Sequence, residues 1–257
     1  MLSHSPLQRI LAHESAYWTC ISAVEEQNGW RAFHNRSLAP RIDPNHAGEF
    51  RGRPGEGVRI AREVIDFYTA LGVTPAAYVD CLSTPADLIP ALLDGGFEEW
   101  RGAENDLMLY VGPDEANAAA VRATLVTTAA ERAAWASVME PSDERTRQLL
   151  HQLYTREIED ARMRGYLIWV DGEPACRCEL FSWNGLGRVE AVRTDDRYQR
   201  RGLAAAAIRQ AVADSLLLGN QLTYLYAEPG GNAQRLYHRL GFRTVTHHVT
   251  RSFVWAG

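Results

Sequence analysis

Apolar positions in the first half of the chain switch repeatedly between helical and strand periods. From Pro6 to Ile21 they fall at Leu7, Ile10, Leu11 and Ala12, then Tyr17 and Trp18, which predicts an amphipathic helix. Gly29 to Asn35 reads as a short strand, and Ala39 to Gly57 is rich in Pro, Gly and polar residues. Gly57 to Leu71 places Ile60, Val64, Phe67, Tyr68 and Leu71 on one helical face, with Gly72 as the stop. A strand over Ala76–Cys81 follows. Ser83-Thr84-Pro85-Ala86-Asp87 then opens a second helix that carries Leu88, Ile89, Leu92 and Leu93 and ends at Gly95-Gly96. Phe97 to Val111 looks like a strand pair. The polar segment Gly112–Ala118, which holds Gly and Pro, is the best linker candidate and suggests two domains, 1–115 and 116–257.

The second half repeats the alternation with longer elements. Val121–Thr128 reads as a strand, and Glu131–Met139 and Asp143–Asp160 as helices. Tyr166–Val170 and Ala175–Trp183 form a predicted hairpin around Asp171-Gly172. Arg188–Arg193 is a further strand. Arg201–Leu218 is a helix with Leu203, Ala207, Ile208, Ala211 and Val212 on one stripe. Gln221–Ala227 is a strand, Asn232–Leu240 a short helix, and Phe242–Val254 a closing strand. This order predicts a mixed α/β layer structure, with helices flanking a mostly antiparallel sheet.

Composition narrows the function classes. The 257 residues are 46% hydrophobic and 23% charged, which is ordinary for a soluble protein large enough to bury a core. No apolar run approaches the roughly 20 residues of a membrane helix, and Met1–Ile10 has no apolar signal region, so a cytoplasmic location is expected. A formal charge of −5 without an arginine cluster argues against nucleic acid and mildly suits an amine-bearing substrate. Every cationic side chain apart from histidine is Arg. The absence of Lys excludes a lysine nucleophile, a Schiff base and a phosphate-loop lysine. Of the four cysteines, Cys176 and Cys178 share one face of a strand, as a metal or redox pair would. No further ligand stands at zinc spacing, so two small buried thiols are the preferred reading. His247 and His248, adjacent in a strand, would face opposite ways, and no metal is expected.

The chemically prominent feature is the turn Gln199-Arg200-Arg201-Gly202-Leu203-Ala204, directly ahead of a helix. A helix start presents unpaired N–H groups and a partial positive charge, so a diphosphate can sit there. Gly202 lets backbone approach the phosphate oxygens, and Arg200 or Arg201 adds charge-assisted hydrogen bonds. Downstream stands Asn232-Ala233-Gln234-Arg235-Leu236-Tyr237-His238-Arg239-Leu240-Gly241-Phe242. Together the two segments resemble the GCN5-related N-acetyltransferase (GNAT) superfamily. Gln199, Gly202 and Ala204 meet the pattern Gln/Arg-x-x-Gly-x-Gly/Ala; Asn232, Leu236, Tyr237, Leu240, Gly241 and Phe242 meet the later one. The resemblance covers about Val121 to Gly257.

That resemblance implies a GNAT fold with acetyl-CoA as co-substrate. It implies that Gln199, Arg200, Arg201, Gly202, Leu203 and Ala204 hold the pyrophosphate, while Val192 and Thr194 hydrogen-bond the pantetheine arm through their backbones. Asn232 would contact the cofactor or fix its helix, and Tyr237 would protonate the departing thiolate. Tyr237 also lies on an apolar stripe with Ala233, Leu236 and Leu240, as a core tyrosine would; the motif favours the catalytic role. Glu190, on the face expected for Val192 and Thr194, is a candidate general base, and Glu228 is its rival.

The first half resembles a decayed copy of the same fold. Pro85–Phe97 echoes the late motif without its Tyr; Leu93 or Asp94 falls at that position. The segment Arg51–Gly57 breaks the pyrophosphate pattern, and Pro54 lacks a backbone donor. This half is expected to be non-catalytic, packing on the active half and walling its substrate cleft. The function expected is transfer of an acyl group to a primary amine by direct attack in a ternary complex. A small-molecule acceptor is favoured over a protein, in a monomer or homodimer. The alternative is a CoA-binding regulatory or scaffold protein without turnover.

Overall fold

The computed structural model describes residues 5–100, 105–112, 121–139, 142–247 and 249–257. The linker expected beyond Gly112 and the side chain of His248 lie outside the described residues. The chain divides into two compact units, Met1–Asp106 with Thr246–Gly257, and Leu107–Val245.

The first unit begins with α1 (Pro6–Trp18), started by a capping box in which Ser5 accepts from the Gln8 amide and Gln8 accepts from that of Ser5. Strands β1 (Ala23–Gln27), β2 (Trp30–His34) and β3 (His46–Gly48) follow. Then come α2 (Gly57–Leu71), β4 (Ala76–Asp80), α3 (Leu88–Asp94) and β5 (Phe97–Glu99). The predicted stripe of α2 buries Ile60, Val64 and Tyr68 against Phe50, Ala77 and Phe253 of the unit's core. The Tyr68 hydroxyl donates to the Phe33 carbonyl at 3.0 Å, so the buried phenol keeps its hydrogen bond. The sheet runs β1-β2-β3-β4-β13-β5, where β13 (Thr250–Trp255) is the last strand of the chain.

The second unit takes β6 (Asp106–Tyr110), β7 (Thr124–Leu125), α4 (Ala129–Ser137), α5 (Glu144–Ile158), β8 (Met163–Val170), β9 (Glu173–Trp183) and β10 (Leu186–Thr194). It continues with α6 (Leu203–Leu217), β11 (Leu222–Ala227), α7 (Asn232–Arg239) and β12 (Phe242–Thr246). Its sheet order is β12-β6-β11-β10-β9-β8-β7. Helix α6 buries Ala207, Ile208 and Ala211 against Cys176, Cys178, Leu180 and Val189. Helices α4 and α5 pack on each other and on β8 and β9.

The two sheets share one plan. Strands β1-β2-β3 and β8-β9-β10 are antiparallel meanders. The next pair is parallel in each, β3 with β4 and β10 with β11, joined through α2 and α6 respectively. Each sheet then receives a strand from the other half of the chain before its own last strand: β13 lies between β4 and β5, and β6 between β11 and β12. Two copies of the GNAT fold in tandem account for this common order.

Several elements differ from the sequence expectation. Phe97–Val111 is not a pair, because β5 and β6 belong to different sheets. Phe242–Val254 is likewise two strands, β12 and β13, separated at His247. His247 therefore sits in a turn, where its Nδ1 meets the buried Asp106 carboxylate at 2.5 Å. Of Val121–Thr128 only Thr124–Leu125 pairs. Thr128 instead caps α4, accepting from the Glu131 amide at 3.1 Å in a capping box.

Candidate active site

Strands β10 and β11 pair in parallel only from Leu186 to Arg188 against Leu222 to Tyr224. Past that point no pairing joins them, and β10 carries a bulge between Glu190 and Arg193. Ala191, inside the bulge, has φ of 51°, a left-handed conformation that costs a non-glycine residue and persists where surrounding structure enforces it. A bulge leaves backbone groups out of the ladder, so this segment has amide groups to offer a ligand.

A cavity of about 210 Å³ opens at this fork, lined by Tyr154, Arg177, Val189, Glu190, Ala191, Val192, Arg193, Tyr226 and Tyr237. Tyr237, on α7, is 8% exposed and packs with Phe242 at 6.2 Å between ring centroids. Burial, and then the charge of Glu190, raise its phenol well above the ordinary value, so it keeps its proton through the neutral range. Glu190 accepts from Arg188 Nη2 at 2.7 Å. Glu228 is exposed and does not line the cavity. Of the two carboxylates weighed as bases, Glu190 is the one at the site.

The bulge also corrects a facing expected from the sequence. Glu190 stands opposite Glu179, whereas Thr194 stands opposite Cys176, so the extra residue turns Glu190 and Thr194 to opposite faces. The Thr194 hydroxyl donates to Cys176 Sγ at 3.2 Å on the α6 side. Val192 lies in the bulge, packed against the core and lining the cavity.

Beyond β10 the backbone enters the left-handed region twice, at Arg200 (φ 60°) and Gly202 (φ 78°), a sequence of turns that can gather N–H groups into an anion-binding concavity. Gly202 is the N-cap of α6 and supplies no side-chain cap; a Cβ built there meets nothing within 4 Å. Arg200 and Arg201 are exposed beside it, with Arg201 5.4 Å from the Tyr198 ring. Leu203 is buried and Ala204 half-buried, anchoring the helix start. Gln199 donates to Asp196 at 2.7 Å, which fixes the turn. Asn232, the first residue of α7, accepts from Arg235 at 2.6 Å and is exposed.

The equivalent turn of the first unit is already filled. At the start of α2, the amides of Gly55 and Gly57 donate to the Asp87 carboxylate at 3.1 and 3.0 Å. These bonds lower the Asp87 pKa, the Gly55 bond foremost. A Cβ on Gly57 would overlap Asp87, so backbone and carboxylate are in close contact. The amides at this helix start are held by an anion of the protein's own.

Sequence reasoning missed a charged cluster beneath the fork. Arg177 and Glu179 on β9 alternate with Cys176 and Cys178, and such alternation ordinarily marks a solvated face. Here α4 and α5 cover it, leaving Arg177 3% and Glu179 0% exposed. Burial, then the charges of Glu157 and Glu190, push the Glu179 carboxyl well above the usual carboxylate range, against the opposing pull of Arg177 and Arg188. A raised carboxyl pKa favours the folded state at low pH and is a growing liability as pH climbs toward the folded value. Glu179→Gln is therefore expected to melt at or above the wild-type temperature, with the difference widening as pH rises above the ordinary carboxylate range. Thermal melts from acid to neutral pH and above check it, and a variant whose deficit grows with pH would contradict the upward shift. Cys176 and Cys178 are free, buried thiols; burial pushes Cys176 up to about 11 and Cys178 well above its ordinary value.

These features, a forked parallel pair with a bulge and an open helix start beside it, frame the cavity of the second unit. Residues 127–242 match the family model described as the acetyltransferase (GNAT) family. The second half of the chain belongs to the GNAT superfamily of N-acetyltransferases. A GCN5-related N-acetyltransferase from Kribbella flavida is similar in structure over 99% of this chain and 97% of its own, at TM-score 0.72 and 18% identity. A GNAT-family protein from Novosphingobium aromaticivorans shares 19% identity over 97% and 95% of the two chains, at TM-score 0.59. A tandem GNAT protein from the clavulanic acid biosynthesis pathway matches over 81% of this chain and 74% of its own, at TM-score 0.57 and 10% identity. At such identities the likeness establishes the fold. No curated protein matches the chain in sequence.

Proposed function

We propose that the chain is an acetyl-CoA-dependent N-acetyltransferase acting on a primary amine of a small molecule by direct attack in a ternary complex. The observation that carries this reading is the meeting of Tyr237 and Glu190 in one cavity at the fork of β10 and β11. Acetyl-CoA would supply the activated acyl group as a thioester. The open turn Gln199–Ala204, with Arg200 and Arg201 beside it, fits a diphosphate. The bulged strand at Val192 and the following Thr194 fit the pantetheine arm. Asn232 would steady the start of α7. Glu190 takes the proton from the attacking ammonium, directly or through water, and Tyr237 donates to the sulfur as charge develops there. Cys176 and Cys178 are packed in the core as protonated thiols, which favours direct attack over a cysteine intermediate.

Asp87 occupies the corresponding turn of the first unit, so one CoA site per chain is expected, and that unit is read as non-catalytic. Isothermal titration should give one CoA bound per chain, and thiol release from acetyl-CoA should depend on added amine. A protein that binds CoA yet releases no thiol with any of a broad amine panel would be a binding module instead. Gly202→Val should raise the Kd for CoA at least about tenfold, since it strains the turn and blocks close approach of a charged oxygen. An unchanged Kd would remove the turn from the site.

A further inference from the structure

We infer that the acyl acceptor carries a carboxylate as well as its amine, and that Arg177 receives that carboxylate; this rests on the acyl-transfer reading above. Arg177 lines the same cavity as Glu190 and Tyr237. Its guanidinium carbon lies over two rings, 3.6 Å from the Tyr154 centroid and 4.6 Å from that of Trp135. These cation–π contacts hold the charge in place but accept no N–H hydrogen bond in the way a carboxylate does. Two of the nitrogens, Nε and Nη1, are buried and have no hydrogen-bond partner among the described residues. Two buried donors without an acceptor are costly on a cation, and the cavity that Arg177 lines can bring an anion to it.

The neighbouring acids do not fill that role. Glu190 accepts from Arg188, and Arg193, the other arginine of the cavity, pairs with Asp196 at 2.8 Å. Glu179 lies two residues along the strand from Arg177, and Arg177 Nε and Nη1 remain without a partner among the described residues. Burial, then the charges of Glu157 and Glu190, hold the Glu179 carboxyl above the usual range, which weakens its compensation of Arg177. The cavity therefore holds an anion receptor and a proton acceptor within about 210 Å³. An ammonium at Glu190 and a carboxylate at Arg177 describe an amino acid or a small amine of the same zwitterionic kind. A phosphate dianion suits the site less, because Glu190 shares the cavity and a single guanidinium would have to balance two charges.

The test uses the full chain with acetyl-CoA and matched acceptors: the common amino acids and their α-amides, with thiol release and acetylated product both measured. The best acid should exceed its own amide in kcat/KM by about 10- to 100-fold, as expected for a hydrogen-bonded charge pair. In Arg177→Met that ratio should fall to about threefold or less, while Arg177→Lys should retain part of it. CoA titration of each variant reports that the fold and the cofactor site persist. Turnover of amines with no preference for acid over amide in the wild-type protein overturns the assignment and leaves the acyl-transfer reading standing. An undiminished preference in Arg177→Met overturns it as well. Failure to bind CoA would instead defeat the acyl-transfer reading, and this inference with it.

Discussion

Tyr237→Phe is expected to lower kcat by about 100-fold or more while the Kd for CoA moves by less than about threefold. The substitution removes one oxygen and keeps the ring, which is packed against Phe242 at the foot of the fork. Among the described residues the Tyr237 hydroxyl has no hydrogen-bond partner, so its loss orphans no group and the fold should be nearly indifferent. Only a departing thiolate would register the missing proton. Burial and Glu190 raise the phenol well above its usual value, so the wild-type rate should show no alkaline decline from Tyr237 up to about pH 9. Steady-state kinetics with a saturating amine, paired with a CoA titration, separate the two effects. Equal losses in turnover and CoA affinity would make Tyr237 a packing residue.

The parts of this site visible in the sequence share a local cause. The turn Gln199–Ala204 can be read because a short segment sets its own conformation: Gly202 permits the left-handed step, and the apolar stripe that begins at Leu203 marks the helix behind it. The start of α4 was legible too, since Thr128 and Glu131 are a capping pair, yet the apolar alternation through Val121–Thr128 outweighed it.

What escaped depends on partners distant in sequence. The residues of β6 and β13 show strand periodicity, but alternation reports which face is buried and says nothing of the neighbouring strand. Their exchange between the two sheets follows from the fold as a whole. The bulge at Ala191 has no glycine to announce it, and it decides that Thr194 stands opposite Cys176, on the other face from Glu190. Arg177 and Glu179 illustrate the same limit most sharply. A charged residue at every second position reads as a wet face until α4 and α5, both earlier in the chain, are known to lie over it.

Those helices carry the second large effect. Trp135→Ala is expected to cost about 3–5 kcal/mol and to lower the melting temperature of the second unit by on the order of 10 °C. Trp135 is fully buried on α4, its indole N–H donating to the Cys178 carbonyl at 3.0 Å and its ring 6.1 Å from that of Tyr154. Removing it leaves a void, takes the indole donor from the Cys178 carbonyl, and takes away one of the two rings beside the Arg177 guanidinium. Trp135→Phe should restore most of the volume and keep an aromatic face, without the indole hydrogen bond, at a cost of about 1–3 kcal/mol. Thermal melts of both variants, followed by the acid-to-amide ratio where the protein remains folded, test stability and specificity together. If Trp135→Ala melts within about 3 °C of wild type, α4 does not seal the charged cluster, and the burial that makes Arg177 an anion receptor goes with it.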